Sequence, residues 1–428
     1  MTERSGKKKL TRGEKWLLVA PLFVLLLFGL LQLKNFWFAR TFPRIFGSDG
    51  GKFLLLRISR DGKQIVATNE NTFTPSSTVS SWDIATGQKL WSFSSNAPPS
   101  GVDFSPDGQS FSVVFTSWQG VACDLEKRDL RTGKLIWTMH GADSFDAGIF
   151  SPDGKSVVTQ GASVGVYDSM TGALKHTVPA TCKTAGQWLR FTRDGATFMM
   201  LNAPPSRSMQ PSPARVEFWS SGTGKKLRAL PMSDTTWAEL RANSDEVVSL
   251  GCLKGNRSQS FATGDTTSPR GLTQIWNYKT GQLLQTLPGA DTASNLTGWR
   301  CLSKDGRLLF RLKKITQDNV ISQQAEMIEL RTGKIVWVRD LENEPFWCRF
   351  SPDGRFVGSS DFPKGAASGV VRLWDAKTGA QLKTFQTSSA WLPTDFTADS
   401  HYLAFINDNQ IYLWDLFQYS KQPTSDKL

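Results

Sequence analysis

Short apolar or alternating runs recur along residues 53–417, each five or six residues long and each cut off by a turn. KSVVTQ (155–160), RFVGSS (355–360), KLIWTM (134–139) and QLLQTL (282–287) are typical. Alternation or an unbroken apolar run of this length suits a strand with one or both faces covered. No run between residues 53 and 417 holds a period of 3.6, so the chain is predicted to be all-β over that range.

The turns that separate the runs fall into two columns. The first is Asp-Gly behind a Ser or Thr, ending at Gly62, Gly108, Gly154, Gly195, Gly306 and Gly354. FSPDG itself stands at 104–108, 150–154 and 350–354. RANSDE (241–246) fills the one double-length gap as a degenerate copy, and FTADS, ending at Ser400, adds an eighth. The second column is Thr-Gly at Gly87, Gly133, Gly172, Gly224, Gly281, Gly333 and Gly379, usually as Asp-x-x-Thr-Gly. In both, the Asp side chain can accept backbone N–H groups across the corner and the Gly supplies a left-handed residue.

The columns alternate strictly, so one unit is four short antiparallel strands in roughly 47 residues. A sheet that small cannot bury both its faces alone, and radial stacking against its neighbours predicts an all-β, eight-bladed β-propeller. Seven blades remain the alternative if the unit around 236–281 has lost its sheet. Trp82, Arg128, Tyr167, Trp219, Trp276, Ile328, Trp374 and Trp414 form a largely aromatic column, which reads as wedge filling between blades. The last unit ends at IYLWDLF (411–417) and lacks a fourth strand. RTFPRIF (40–46) can supply it, closing the ring.

Composition changes the picture at the N-terminus. The formal charge is +12, and residues 1–15 hold six basic against two acidic residues. The uncharged run WLLVAPLFVLLLFGLLQL (16–33) follows. At 1.5 Å per residue it spans roughly 27 Å, close to a hydrocarbon core, and Phe36, Trp37 and Phe38 suit an interfacial belt. The expected organisation is a basic cytoplasmic tail (1–15), a single-pass signal anchor (16–38), the propeller (40–418) and a polar tail (419–428). The positive-inside rule puts the propeller in an extracytoplasmic compartment, periplasmic or extracellular. A cleaved signal is the alternative, but the run is long and FWFARTFPR offers no evident cleavage site.

The five cysteines, Cys123, Cys182, Cys252, Cys301 and Cys348, form no C-x-x-C pair. Core packing is their expected role, and a single bridge between Cys301 and Cys348 is left open.

These motifs carry a resemblance. Residues 53–417 resemble the WD-repeat propellers, chiefly the bacterial type with recurring F-S-P-D-G and L-W-D-x-x-T-G, which implies a propeller and an interaction role. The Gly-His pair of the eukaryotic repeat is absent, so the turns are expected to rest on Asp/Gly chemistry alone. WDIATGQKLW, RDLRTGKLIW and IELRTGKIVW also look like the docking motif of quinoprotein-like eight-bladed propellers, with Trp91, Trp137 and Trp337 at its last position. His176, Arg228, Gln285 and Lys383 hold that position elsewhere. That second resemblance gives the alternative function, a cofactor-binding or enzymatic propeller. No carboxylate cluster is available to nominate for it, and no cofactor is expected.

No nucleophile elbow, paired-Cys site or phosphate loop appears, and His140, His176 and His401 lie in different units. The chain therefore reads as a non-catalytic scaffold. Its variation is concentrated in the connections between second and third strands: 69–79, 202–215, 253–271, 313–324 and 361–369. Loops that vary on a rigid frame commonly carry binding. Arg207, Arg215, Lys254, Arg257, Arg270, Lys313 and Lys314 make them basic, so a protein partner is expected there. Nucleic acid is not, since no dense basic-aromatic stripe is present.

Overall fold

The computed structural model describes residues 44–47, 51–70, 76–116, 123–141, 145–161, 164–179, 189–202, 215–230, 235–241, 244–251, 272–287, 300–317, 320–342, 345–361, 368–388, 394–407 and 409–420. Eight four-stranded antiparallel sheets succeed one another along the chain. Blade I is Lys52–Ile58, Gln64–Glu70, Ser77–Asp83 and Lys89–Ser95. Blades II to VII follow the same plan over 99–141, 145–178, 190–229, 235–287, 301–341 and 345–387. The unit around 236–281 keeps all four of its strands, so the ring has eight blades rather than seven.

Blade VIII takes three strands from the end of the chain, Thr394–Phe396, Tyr402–Asn407 and Gln410–Asp415. Its outer strand is Arg44–Phe46, paired antiparallel with Arg44 opposite Leu413 and Phe46 opposite Ile411. The last residues of this seam pack into the core of blade I, where Phe46, Ile406, Ile411 and Leu413 join Phe53, Ile65 and Trp82. A single helical turn, Phe417–Ser420, ends the described chain. The anchor over 16–38 lies outside the described residues.

The Asp-Gly corners are built the same way in every intact copy. In blade II the Ser105 hydroxyl donates to the Asp107 carboxylate at 2.6 Å and accepts the Ser110 N–H at 3.0 Å. Asp107 also accepts the Gln109 N–H, and the Gly108 N–H closes the turn onto the Ser105 carbonyl. Gly62, Gly108, Gly154, Gly195, Gly306 and Gly354 all take φ near +70°, and Ser400 is forced to φ 60° in the last copy. The turn therefore rests on the Ser or Thr hydroxyl as much as on Asp and Gly, which corrects the sequence expectation. In the degenerate copy Arg241 replaces the Ser, yet its N–H still bonds the Glu246 carbonyl.

One expected loop is not a loop. Residues 313–324 belong to a long hairpin, Leu308–Gln317 against Val320–Glu329, paired out to Gln317 opposite Val320. β-branched residues stand on both strands, Ile315 and Thr316 on one and Val320 and Ile321 on the other, with Thr316 opposite Ile321.

Candidate functional site

Three regions of the ring offer surface or chemistry: the turn face, the axial channel and the opposite face. At the turn face each Thr-Gly corner is held by the side chain three residues before its Thr, an Asp in blades I, II, III and VII and Ser220, Asn277 and Glu329 in blades IV, V and VI. In blade I the Thr86 N–H and hydroxyl both donate to Asp83, at 2.7 and 2.8 Å. These bonds hold the Asp83 carboxyl below its usual range. The equivalent Asp168 is pulled down to about 2 by the Thr171 N–H, with Lys175 adding to it.

The docking residues then couple neighbouring blades. The Trp91 indole N–H donates to the Leu130 carbonyl of blade II at 2.8 Å, and Trp137 and Trp337 repeat the bond to Ser169 and Ala376. Each indole lies flat on the next blade's turn glycine. A Cβ on Gly379 would stand 2.5 Å from Trp337, so only Gly fits under the ring. His176 and Arg228 cover Gly224 and Gly281 instead, and Leu287 and Phe46 cover Gly333 and Gly87 from their own strands. These positions are therefore structural latches.

The wedge column is as expected where it is aromatic: Trp82, Trp219, Trp276, Trp374 and Trp414 are all buried, as is Ile328. Tyr167 is half-buried. Arg128 takes the place of an aromatic by laying its guanidinium 3.6 Å from the Phe93 ring centroid while bonding Glu126 and the Gly133 carbonyl.

The channel was not anticipated. The first strand of every blade lines the axis, and the residue two before each turn Ser or Thr faces inward. Read around the ring this position is Arg57, Asp103, Ile149, Arg190, Glu239, Cys301, Arg349 and Asp395. Three cations and three carboxylates thus converge within the ring. Arg57 is within electrostatic reach of Asp103, Arg190, Arg349 and Asp395, residues of four other blades, as only an axial position allows.

The carboxylates act as interblade ties. Asp395 of blade VIII accepts the Ile58 N–H of blade I at 3.2 Å and pairs with Arg349 of blade VII. Asp103 of blade II accepts the Phe150 N–H of blade III at 2.9 Å. Arg190 and Glu239 face each other at 4.0 Å. Burial pushes the Asp103 and Glu239 carboxyls up, against the pull of nearby N–H groups and arginines. Asp395 raises the Arg349 guanidinium, whereas burial and then Arg349 lower that of Arg57. Cys301 and Cys348 meet at the edge of this ring, both buried and free. A motif search could not find the ring, because each blade gives one residue to it; aligning the copies on the turn Ser would have.

The opposite face carries the second-to-third strand connections. Arg215 opens a strand there, exposed and opposite Asn202. Lys313 and Lys314 lie in the long hairpin, opposite Gln324 and Gln323. Arg207, Lys254, Arg257 and Arg270 lie outside the described residues. The structure therefore places three of the seven predicted basic residues, two in one blade and one in another. Among the described residues no group of three His, Cys, Asp or Glu is arranged to hold a metal ion.

No protein-family model matches the chain, and no curated protein matches it. Solved structures do. The C-terminal WD40 domain of Sif2 superposes with a TM-score of 0.63 at 10% identity, over 88% of this chain and 98% of that one. The Dos1 propeller gives 0.60 at 11% identity, over 88% and 96%. BamB from Moraxella catarrhalis gives 0.51 at 13% identity, over 87% and 96%. The protein is an eight-bladed β-propeller, and the propeller fold is what it shares with these structures.

Proposed function

We propose that the protein is a membrane-anchored, non-catalytic scaffold whose propeller stands in an extracytoplasmic compartment and binds a protein partner. The partner seat is the face carrying the long connections, with Arg207, Arg215, Lys254, Arg257, Arg270, Lys313 and Lys314 as its basic residues and an acidic surface as their complement. The observation that carries this reading is where the chemistry on the rest of the ring is spent. The turn carboxylates bond their own corners, the docking tryptophans latch neighbouring blades, and the channel charges tie first strands together. What varies on the frame is the long-connection face, and variable loops on a rigid scaffold are where binding concentrates. The quinoprotein-like alternative rests on the docking tryptophans, whose indoles are engaged between blades.

The test is cross-linking of the full-length chain in its native membrane, followed by purification and identification of partners. A variant with 253–271 shortened should lose those partners while its thermal midpoint stays unchanged. If the intact chain captures none, or the shortened one keeps them all, the scaffold reading fails. Protease added from outside reports on topology: cleavage near residue 420 in intact cells supports an external propeller.

A further inference from the structure

We infer that the propeller lies face-on against an anionic bilayer with its turn face down, presenting the long-connection face away from the membrane. The inference rests on the anchored reading above and adds to it an orientation and a lipid contact.

The first observation is the direction of the closing strand. In every other blade the outer strand starts at the Thr-Gly corner and runs toward the opposite face. The closing strand keeps that direction: Arg44 lies opposite Leu413, next to the Trp414-Asp415 end, and Phe46 lies opposite Ile411. The chain therefore enters blade VIII from the turn face. Only residues 39–43 separate Arg44 from the expected anchor (16–38), and five extended residues span at most about 18 Å. An anchor at that distance is tethered to the turn-face end of blade VIII, which favours that face as the one nearer the membrane.

The second observation is what this face displays. Directly after the corner glycine, successive outer strands expose aliphatic side chains beside lysines. Leu135 is 50% exposed, Leu227 56% and Leu283 40%, and Ile335 and Leu174 are similarly open. Lys134, Lys225 and Lys334 stand exposed at the same corners. The acidic residues of these corners turn inward onto N–H and hydroxyl groups, as at Asp129 with Thr132. The Asp-Gly corners of the same face present exposed aspartates such as Asp107 and Asp153, each bonded to its own Ser hydroxyl, whereas the Thr-Gly corners present lysines and aliphatics, the combination that attracts anionic headgroups and buries apolar groups at their level.

Repetition of a blade would by itself repeat such residues. The ring-wide pattern nevertheless matters for the partner, because an exposed aliphatic follows the corner glycine in blades I to VI, with a lysine next to it in each of them except blade V. A compact protein could cover two or three of them. A flat surface parallel to the ring meets them all.

The experiment reconstitutes the full-length chain in vesicles of phosphatidylcholine alone or with about 30% phosphatidylglycerol, a composition chosen for its surface charge. A photo-cross-linking residue replaces Leu135 or Leu283 on the turn face, or Glu342, which is exposed at the other end of an outer strand. Flotation with the vesicles is measured first, and a chain that does not float overturns the anchored reading itself. In a chain that floats, lipid cross-linking at Leu135 and Leu283 should exceed that at Glu342 on the order of fivefold in anionic vesicles, since lipid contact is confined to the interface. The triple variant Lys134→Glu, Lys225→Glu, Lys334→Glu should float equally well but lose most of that excess. Equal yields at both faces of a floating chain, or an excess at Glu342, overturn the orientation. An excess that survives the triple variant and is the same in neutral vesicles overturns the anionic-lipid contact.

Discussion

Replacing Asp395 tests the claim that the channel charges hold the ring together. Its carboxylate is buried, with 9% of the side chain exposed, and it joins three blades through Arg349, Ile58 and its own strand. Asp395→Ala strands the Ile58 N–H, at about 1–3 kcal/mol for a buried donor. It also leaves Arg349 without its carboxylate. That term is discounted because 35% of the Arg349 side chain is exposed, so the total comes to about 2–4 kcal/mol rather than the 3–5 of a fully buried pair. Arg349→Met alone should cost less, about 1–2 kcal/mol, because Asp395 keeps its two backbone donors. The double variant should cost less than the sum of the singles, with a coupling of about 1 kcal/mol or more. Urea unfolding followed by tryptophan fluorescence reads all three midpoints. Arg355→Ala, which breaks an exposed pair with Asp353, serves as the control and should stay within about 0.5 kcal/mol. An Asp395→Ala midpoint no lower than that control, or strictly additive singles, would refute the tie.

Trp337→Ala should destabilise by about 3–5 kcal/mol through lost volume and the bond to Ala376, far more than Gln285→Ala at the same position of another blade; equal thermal midpoints would sink the latch. Trp374 donates to the Ser359 hydroxyl at 2.9 Å, whereas the buried Trp276 indole N–H has no bonded partner among the described residues. Trp374→Phe should therefore cost about 1 kcal/mol more than Trp276→Phe in the same unfolding assay. Stability should also fall with acid. The depressed turn carboxylates, Asp168 at about 2 among them, contribute fully above the unfolded carboxylate range and lose that contribution as pH drops from about 4 towards 2. Asp103 has the opposite sign, since its raised value favours the protonated folded state. Asp103→Asn should thus be stabilising relative to the natural chain at pH 7, an advantage that vanishes as pH falls through the carboxylate range; a constant difference across a pH series of melts would contradict the assignment.

The blade count, the strand order and the closing strand were legible in the chain because a corner needing positive φ and a capping carboxylate admits few residues. Gly62 to Gly354 and Gly87 to Gly379 mark those corners directly. The hairpin at 313–324 was misread because its polar residues, Lys313, Gln317 and Gln323 among them, outweighed the β-branched Ile315, Val320 and Ile321. Hydroxyl bonding by Ser59 or Ser105 was overlooked because Ser was read as turn composition and not as an acceptor for the strand that follows. The channel ring escaped for a different reason: Arg57 and Asp395 are 338 positions apart (395 − 57) and meet only once the ring has closed. Of the basic residues expected at the long-connection face, Arg215, Lys313 and Lys314 have a place in the described strands, and position along a loop said nothing of their neighbours.

The seam in blade VIII also sets an order of events during synthesis. Phe46 and Ile411 are 365 positions apart (411 − 46), so the outer strand of that blade leaves the ribosome long before the strand it pairs with. At about 5–20 residues per second the first strand waits roughly 20–70 seconds for its partner. Throughout that interval the nascent chain is an open arc with two unsatisfied edges. Pairing of Arg44–Phe46 with its partner strand thus waits until the chain has been made through Leu413.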